Sequence, residues 1–147
     1  MQASVAQVQD KTAVVATVVA AFRHDPAFRF FFPDDDRYDA DAAAFSGYLF
    51  DKRVDHGTVW MIGEASSVAL WSPPTAPGIE PADAAEAQTQ AMGSDGGAAE
   101  RIVHYETIVG AALPEDPHWY LGILAPHPDH AGPRLGRRGM RDGLARA

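Results

Sequence analysis

The stretch His118–Gly136, HWYLGILAPHPDHAGPRLG, concentrates the residues whose types and spacing suit chemistry. An apolar run passes into a Pro/His/Gly turn and then into a helix start that carries arginines. Free N–H groups and the positive end of the dipole gather at a helix N-terminus. Gly132 and Gly136 let a ligand come close to the backbone, and Arg134, Arg137 and Arg138 can pair with phosphate oxygens. Read this way, the turn takes an anion such as a diphosphate. An ordinary strand-to-helix turn with solvated arginines fits the spacing equally well. His127, Asp129 and His130 are metal-ligand types, but spacing places no third ligand beside the two histidines, so they read as turn residues and no metal is expected. The chain has no Cys, which removes a thiolate nucleophile, a thiolate metal site and a disulfide framework.

The rest of the chain must position this segment. Its 147 residues, 46% hydrophobic and 22% charged, suit one domain with a core of its own. Residues 1–133 carry 7 basic against 19 acidic side chains, whereas 134–147 carry five arginines against Asp142 alone. An acidic body disfavours nucleic acid, whose affinity rests on phosphate contacts, and a small basic end suits a compact anion. No apolar run approaches the ~20 residues of a membrane span, and no leader-like segment opens the chain, so the cytoplasm is the expected compartment.

Periodicity predicts the supporting elements. Ser4–Gln9 alternates as a half-buried strand. Thr12–Phe22 is helical, with Asp10 or Thr12 as cap, and His24-Asp25-Pro26 breaks it. Arg37–Val54 is helical, with Tyr38, Ala42, Phe45, Tyr48 and Leu49 on one face. Gly57–Trp71 forms a hairpin around Glu64-Ala65, with Trp60 and Trp71 in its core. Ser72–Pro81 is a breaker region, Ala82–Met92 a helix and Gly93–Gly97 a loop. Ala98–Leu113 is a helix with Ile102, Tyr105, Ile108, Val109 and Ala112 on one side, Tyr105 in the core and Glu106 exposed. His118–Ala125 is a buried strand, and a helix starts at Leu135. The aspartates at 34, 35, 36, 39 and 41 could bind a cation or a basic acceptor, but a solvated helix start favoured by the dipole explains them more simply. Phe28–Phe32 reads chiefly as core, with an acceptor-pocket wall as its other use.

His118–Gly136 resembles the acetyl-CoA-binding motif of the GNAT superfamily of N-acetyltransferases, a strand followed by P-x-x-Q/R-x-x-G-x-G/A and a helix. The order of elements before it is also similar. AAFRHDPAF, VALWSPP and the W-Y-L at Trp119 to Leu121 resemble the branch that contains puromycin acetyltransferase. The likeness covers nearly all of residues 1–147. It implies an α+β sandwich, a mixed and mostly antiparallel sheet with flanking helices, here lacking the C-terminal part of the usual fold. It implies acetyl-CoA as co-substrate and a small-molecule amine as acceptor. Ile123, Leu124, Ala125 and Pro126 would lie beside the pantetheine arm, where the family's central strand bulges and splays. Ala131, Gly132, Pro133, Arg134, Leu135 and Gly136 would hold the pyrophosphate. His118 or Tyr120, at the opening of the motif strand, is the candidate for proton handling.

The motif departs from the family at three points. Ala131 stands where Gln or Arg is usual. Pro133 deletes an N–H donor, and Arg134 stands where relatives carry Gly. The sequence ends within the motif helix, where family members continue with a strand, a helix and a hairpin. The motif strand would then have an unpaired apolar edge, covered by the last helix, by a second copy in a homodimer, or by a separate piece. A catalytically inactive remnant of this fold, acting as a CoA-binding or dimerising module, is the alternative expectation.

Overall fold

The computed structural model describes residues 2–74, 88–90 and 97–130, with Arg137, Met140, Arg141, Leu144 and Ala145 as isolated positions beyond them. It is an α+β fold. The elements are β1 (Ala3–Val5), α1 (Lys11–Ala21), α2 (Pro26–Phe31), α3 (Asp35–Val54), β2 (Val59–Ile62), β3 (Ser67–Ser72), α4 (Ala98–Ala112) and β4 (Tyr120–Pro126). The sheet runs in the order β1-β2-β3-β4, and all three pairings are antiparallel, so the mixed sheet expected above is not seen among the described strands.

Local chemistry accounts for the helix starts. The Asp25 carboxylate accepts from the Phe28 N–H at 3.1 Å, and Pro26 occupies the first helical position, where a missing N–H costs nothing. Asp34 caps α3 through the Asp36 N–H at 2.9 Å. The remaining acids of that run serve the same helix: Asp35 pairs with Arg29, Asp39 with Arg23 and Asp41 with Arg37. Asp35 and Asp36 stand in the first turn of α3 and Lys52 and Arg53 in its last, as the helix dipole favours.

Three local expectations are corrected. The first strand is only Ala3–Val5, because Val8–Asp10 turns into a 3-10 helix in which the Gln7 N–H donates to the Asp10 carboxylate at 2.8 Å. Asp10 therefore spends its side chain on that turn, and neither it nor Thr12 makes a side-chain cap on α1. The last strand begins at Tyr120 rather than His118, and it extends to Pro126.

The helices α1 and α3 pack on each other; α1 lies on β3 and β4, α3 on β2 and β3, and α2 against α4. Thr17 of α1 donates to the Ala65 carbonyl at 2.6 Å, which ties the helix to the hairpin turn where Ala65 itself has φ 61°. Ser67 through Trp71 are all buried, so β3 is covered on both faces. Phe28, Phe31, Phe32 and Phe45 form the aromatic centre of the core, with Phe28 to Phe45 ring centroids 5.8 Å apart. Phe30 is the exposed member of the cluster, and Trp60 is half-buried where a core position was expected.

On α4 only Ala98, Ala99 and Ile102 are buried. Tyr105 is 41% exposed and Ile108 61%, which corrects the expectation that the apolar face of this helix, Tyr105 included, is core. The helix reaches the core through its first turns and leaves its second half at the rim of a cavity. Of the predicted segment Ala82–Met92, positions 88–90 are helical and the rest lies outside the described residues.

Candidate functional site

The ladder between β3 and β4 is interrupted once. Leu70 pairs with Ile123 and Trp71 with Leu121, so Gly122 is an extra residue on β4, a β-bulge. Bulges bend the strand and re-aim its side chains. A cavity of about 260 Å³ opens here, walled by α2, α3 and α4, with Tyr120, Gly122 and Ile123 of β4 on its remaining side. Its apolar wall is Phe28, Phe31, Phe45 and Leu49. The Phe cluster is core, as expected, and Phe28 and Phe31 also line this cavity.

Arg53 ends the buried stripe of α3 inside this cavity and is only 5% exposed. Its Nη1 donates to the Leu49 carbonyl at 3.1 Å, one turn back. Its Nε has no hydrogen-bond partner. No ion pair to Arg53 occurs among the described residues. The guanidinium lies against the bulge: a Cβ on Gly122 would stand 2.9 Å from Nη2. A Cβ there would push the guanidinium aside, so glycine lets the side chain lie this close to the strand. Burial pulls the Arg53 pKa below its usual range, against the opposing influence of Tyr120, Glu106 and Tyr48. Lys52, the next residue, is also lowered, by burial first and then by Arg53.

Tyr120, Tyr105 and Glu106 border the same cavity. Burial raises the Tyr120 pKa, Tyr105 adds to the rise and Arg53 opposes it. The phenol therefore keeps its proton through the neutral range and is fit to donate it rather than to act as a base. Glu106, exposed as expected, accepts from the Gln88 Nε2 at 2.9 Å. Gln88 is 1% exposed, and its Oε1 has no partner.

A larger hollow of about 740 Å³ lies between α1 and α3. Its floor is mostly alanine and valine, and its rim charges are matched, Lys11 with Asp51 at 2.7 Å and Arg23 with Asp39. The smaller cavity is distinguished by a buried guanidinium that no ion pair engages among the described residues, and for that reason it is the candidate site.

The structure separates the residues singled out from the sequence. Tyr120 stands in the cavity. His118 precedes β4, with its Nδ1 2.8 Å from the Asp116 carbonyl, and does not line it. Ile123, Leu124, Ala125 and Pro126 pair with Leu70, Ala69, Val68 and Ser67, and Ile123 and Ala125 are buried. The other edge of β4 has no strand partner among the described residues. Ala131, Gly132, Pro133, Arg134, Leu135 and Gly136 lie outside the described residues. His127 uses its Nδ1 to accept from the Asp129 N–H at 3.1 Å, and no cluster of three metal-ligand side chains occurs among the described residues. No described helix is long and apolar enough to cross a membrane.

Sequence reasoning missed Arg53, Glu106 and Gln88. Arg53 was findable: it falls four residues after Leu49 and eight after Phe45, on the apolar stripe of α3. No protein-family model matches the chain.

Proposed function

We propose that this chain is an acetyl-CoA-dependent N-acetyltransferase of GNAT type acting on a small-molecule amine. The observation that carries the proposal is the bulge at Gly122, which falls inside the strand that runs into the acetyl-CoA-like motif and beside a cavity fit for an acceptor. The order strand, helices, hairpin, helix, strand agrees with that reading. So does the outer edge of β4, whose backbone groups have no strand partner among the described residues and are suited to hydrogen-bond a pantetheine amide.

In the reaction the acceptor nitrogen attacks the thioester carbonyl, a C–N bond forms, the C–S bond breaks, and the amine loses a proton while the thiolate gains one. Tyr120 is the residue we assign to that last transfer. Its phenol borders the cavity, and its raised pKa keeps it protonated. Ile123, Leu124, Ala125 and Pro126 flank the cofactor's arm, and Ala131 to Gly136 hold its pyrophosphate. The setting is the cytoplasm, and neither nucleic acid nor a membrane is a partner.

The test is release of CoA thiol from acetyl-CoA in the presence of candidate amines. The chain has no Cys, so a thiol reagent sees no protein background. Amine-dependent thiol release supports the proposal. No release with any amine, together with no rise of the melting point on adding millimolar acetyl-CoA, overturns it. The same open edge of β4 favours a second reading, an inactive member of the fold that binds CoA or pairs with a second copy. That reading predicts a dimer in light scattering and no turnover.

A further inference from the structure

The geometry points to a specific ligand chemistry for the cavity at the bulge: a small apolar or aromatic molecule carrying one carboxylate, held by Arg53. A guanidinium removed from water costs several kcal/mol unless it is paired, yet Arg53 is 5% exposed with only Nη1 hydrogen-bonded, on Leu49, and Glu106, which borders the same cavity, acts on its charge without forming an ion pair. Nε and Nη2 form the edge of the guanidinium that grips a carboxylate through two parallel N–H donors. Nε has no partner but is itself closed to solvent, so Nη2, which makes no hydrogen bond among the described residues and lies against Gly122 beside the cavity, is the donor a carboxylate reaches first.

The surroundings narrow the class. About 260 Å³ is small for a ligand pocket and suits a single ring with a short arm. Phe28, Phe31 and Leu49 give that ring an apolar wall. Asp25 and Glu106 also border the space, Asp25 being fixed by its cap bond to the Phe28 N–H. Two carboxylates at the rim repel a dianion, so a monoanion is preferred to a phosphate monoester. Glu106, held by Gln88, gives a cationic group on the same molecule a partner. Under the proposed function this makes the acceptor an amino carboxylate. Binding of the carboxylate itself needs no acyl transfer.

The test is amide NMR titration of the full chain, without acetyl-CoA, using phenylacetate and its neutral isostere 2-phenylacetamide. Phenylacetate is expected to shift the amides of Arg53, Gly122 and Ile123 and to bind at least about ten-fold more tightly than the amide, the worth of one charge-assisted hydrogen bond. Gly122→Ala, which drives a methyl toward Nη2 and keeps the charge, is expected to erase the preference. Arg53→Met should equalise the two probes. Equal affinity of the probes for the wild-type chain overturns the inference, as do shifts confined to other surfaces or no shift at millimolar phenylacetate. The wild-type comparison decides even if a variant fails to fold. Because acetyl-CoA is absent, failure here is separable from failure of acetyl transfer.

Discussion

Replacing Arg53 by Met is expected to keep or raise the stability of the protein while abolishing carboxylate binding. The side chain is 5% exposed, its Nε is unpartnered and no carboxylate pairs with it among the described residues, so the folded state carries most of the desolvation cost of a charge and little of the return. Exchange of buried ionic groups for apolar ones of similar volume is neutral or stabilising by about 1–4 kcal/mol. The bond from Nη1 to the Leu49 carbonyl is lost, which takes back about 1 kcal/mol. A net gain of about 0–3 kcal/mol corresponds to a Tm that is unchanged or raised by up to roughly 10 °C for a chain of this size. Melting followed by circular dichroism reads it directly. The companion measurement is the melt with phenylacetate, which should raise Tm for the wild type and leave Arg53→Met unchanged. A lower Tm for Arg53→Met would refute the reasoning, since it would show the guanidinium to be a structural tie rather than a retained binding group.

Tyr120→Phe keeps the ring and removes the proton; acetyl transfer is expected to lose roughly 10²-fold in kcat with KM little changed, and wild-type kcat in the variant would exclude Tyr120 as the acid. Phe28→Ala opens a hole at the junction of Phe22, Phe31, Phe32 and Phe45, and should cost about 3–5 kcal/mol in urea denaturation. The phenol of Tyr38 donates to the Val19 carbonyl at 2.8 Å, and burial pushes its pKa up to about 12 from 10.0. Its raised folded-state pKa means that the stability it contributes is complete below pH 10 and lost as pH climbs toward 12. Tyr38→Phe should flatten that alkaline decline and cost about 1 kcal/mol at neutral pH, checked by melts across the pH range.

The elements were legible where pattern and burial coincide. On α3, Tyr38, Ala42, Phe45 and Leu49 repeat at helical spacing and are buried as the pattern requires. The hairpin was legible from two apolar runs flanking a turn. The second half of α4 misled for the same reason that the first half succeeded. Its apolar residues keep the period, but Tyr105 and Ile108 stand at or beyond the cavity rim, where periodicity carries no information about what lies opposite. Asp10 misled because its carboxylate could satisfy either of two adjacent turns, and the earlier one took it. The site was half legible. Tyr120 was named from its place at the opening of the motif strand. Arg53 was hidden by its charge, which marks a residue as solvent-facing unless the stripe it belongs to is followed one turn further. The bulge was invisible, since Gly122 in an apolar run states neither which residue it faces nor that the ladder slips there.

In the function proposed above, β4 is the cofactor strand of an acetyltransferase from its bulge onward. The most direct measurement is amide NMR of the labelled chain titrated with acetyl-CoA. Saturable shifts are expected at Ile123, Leu124 and Ala125 on β4 and at Ala131, Gly132 and Arg134 to Gly136, with β1 and β2 unmoved. Shifts absent at millimolar acetyl-CoA, or centred on the groove between α1 and α3, would contradict it.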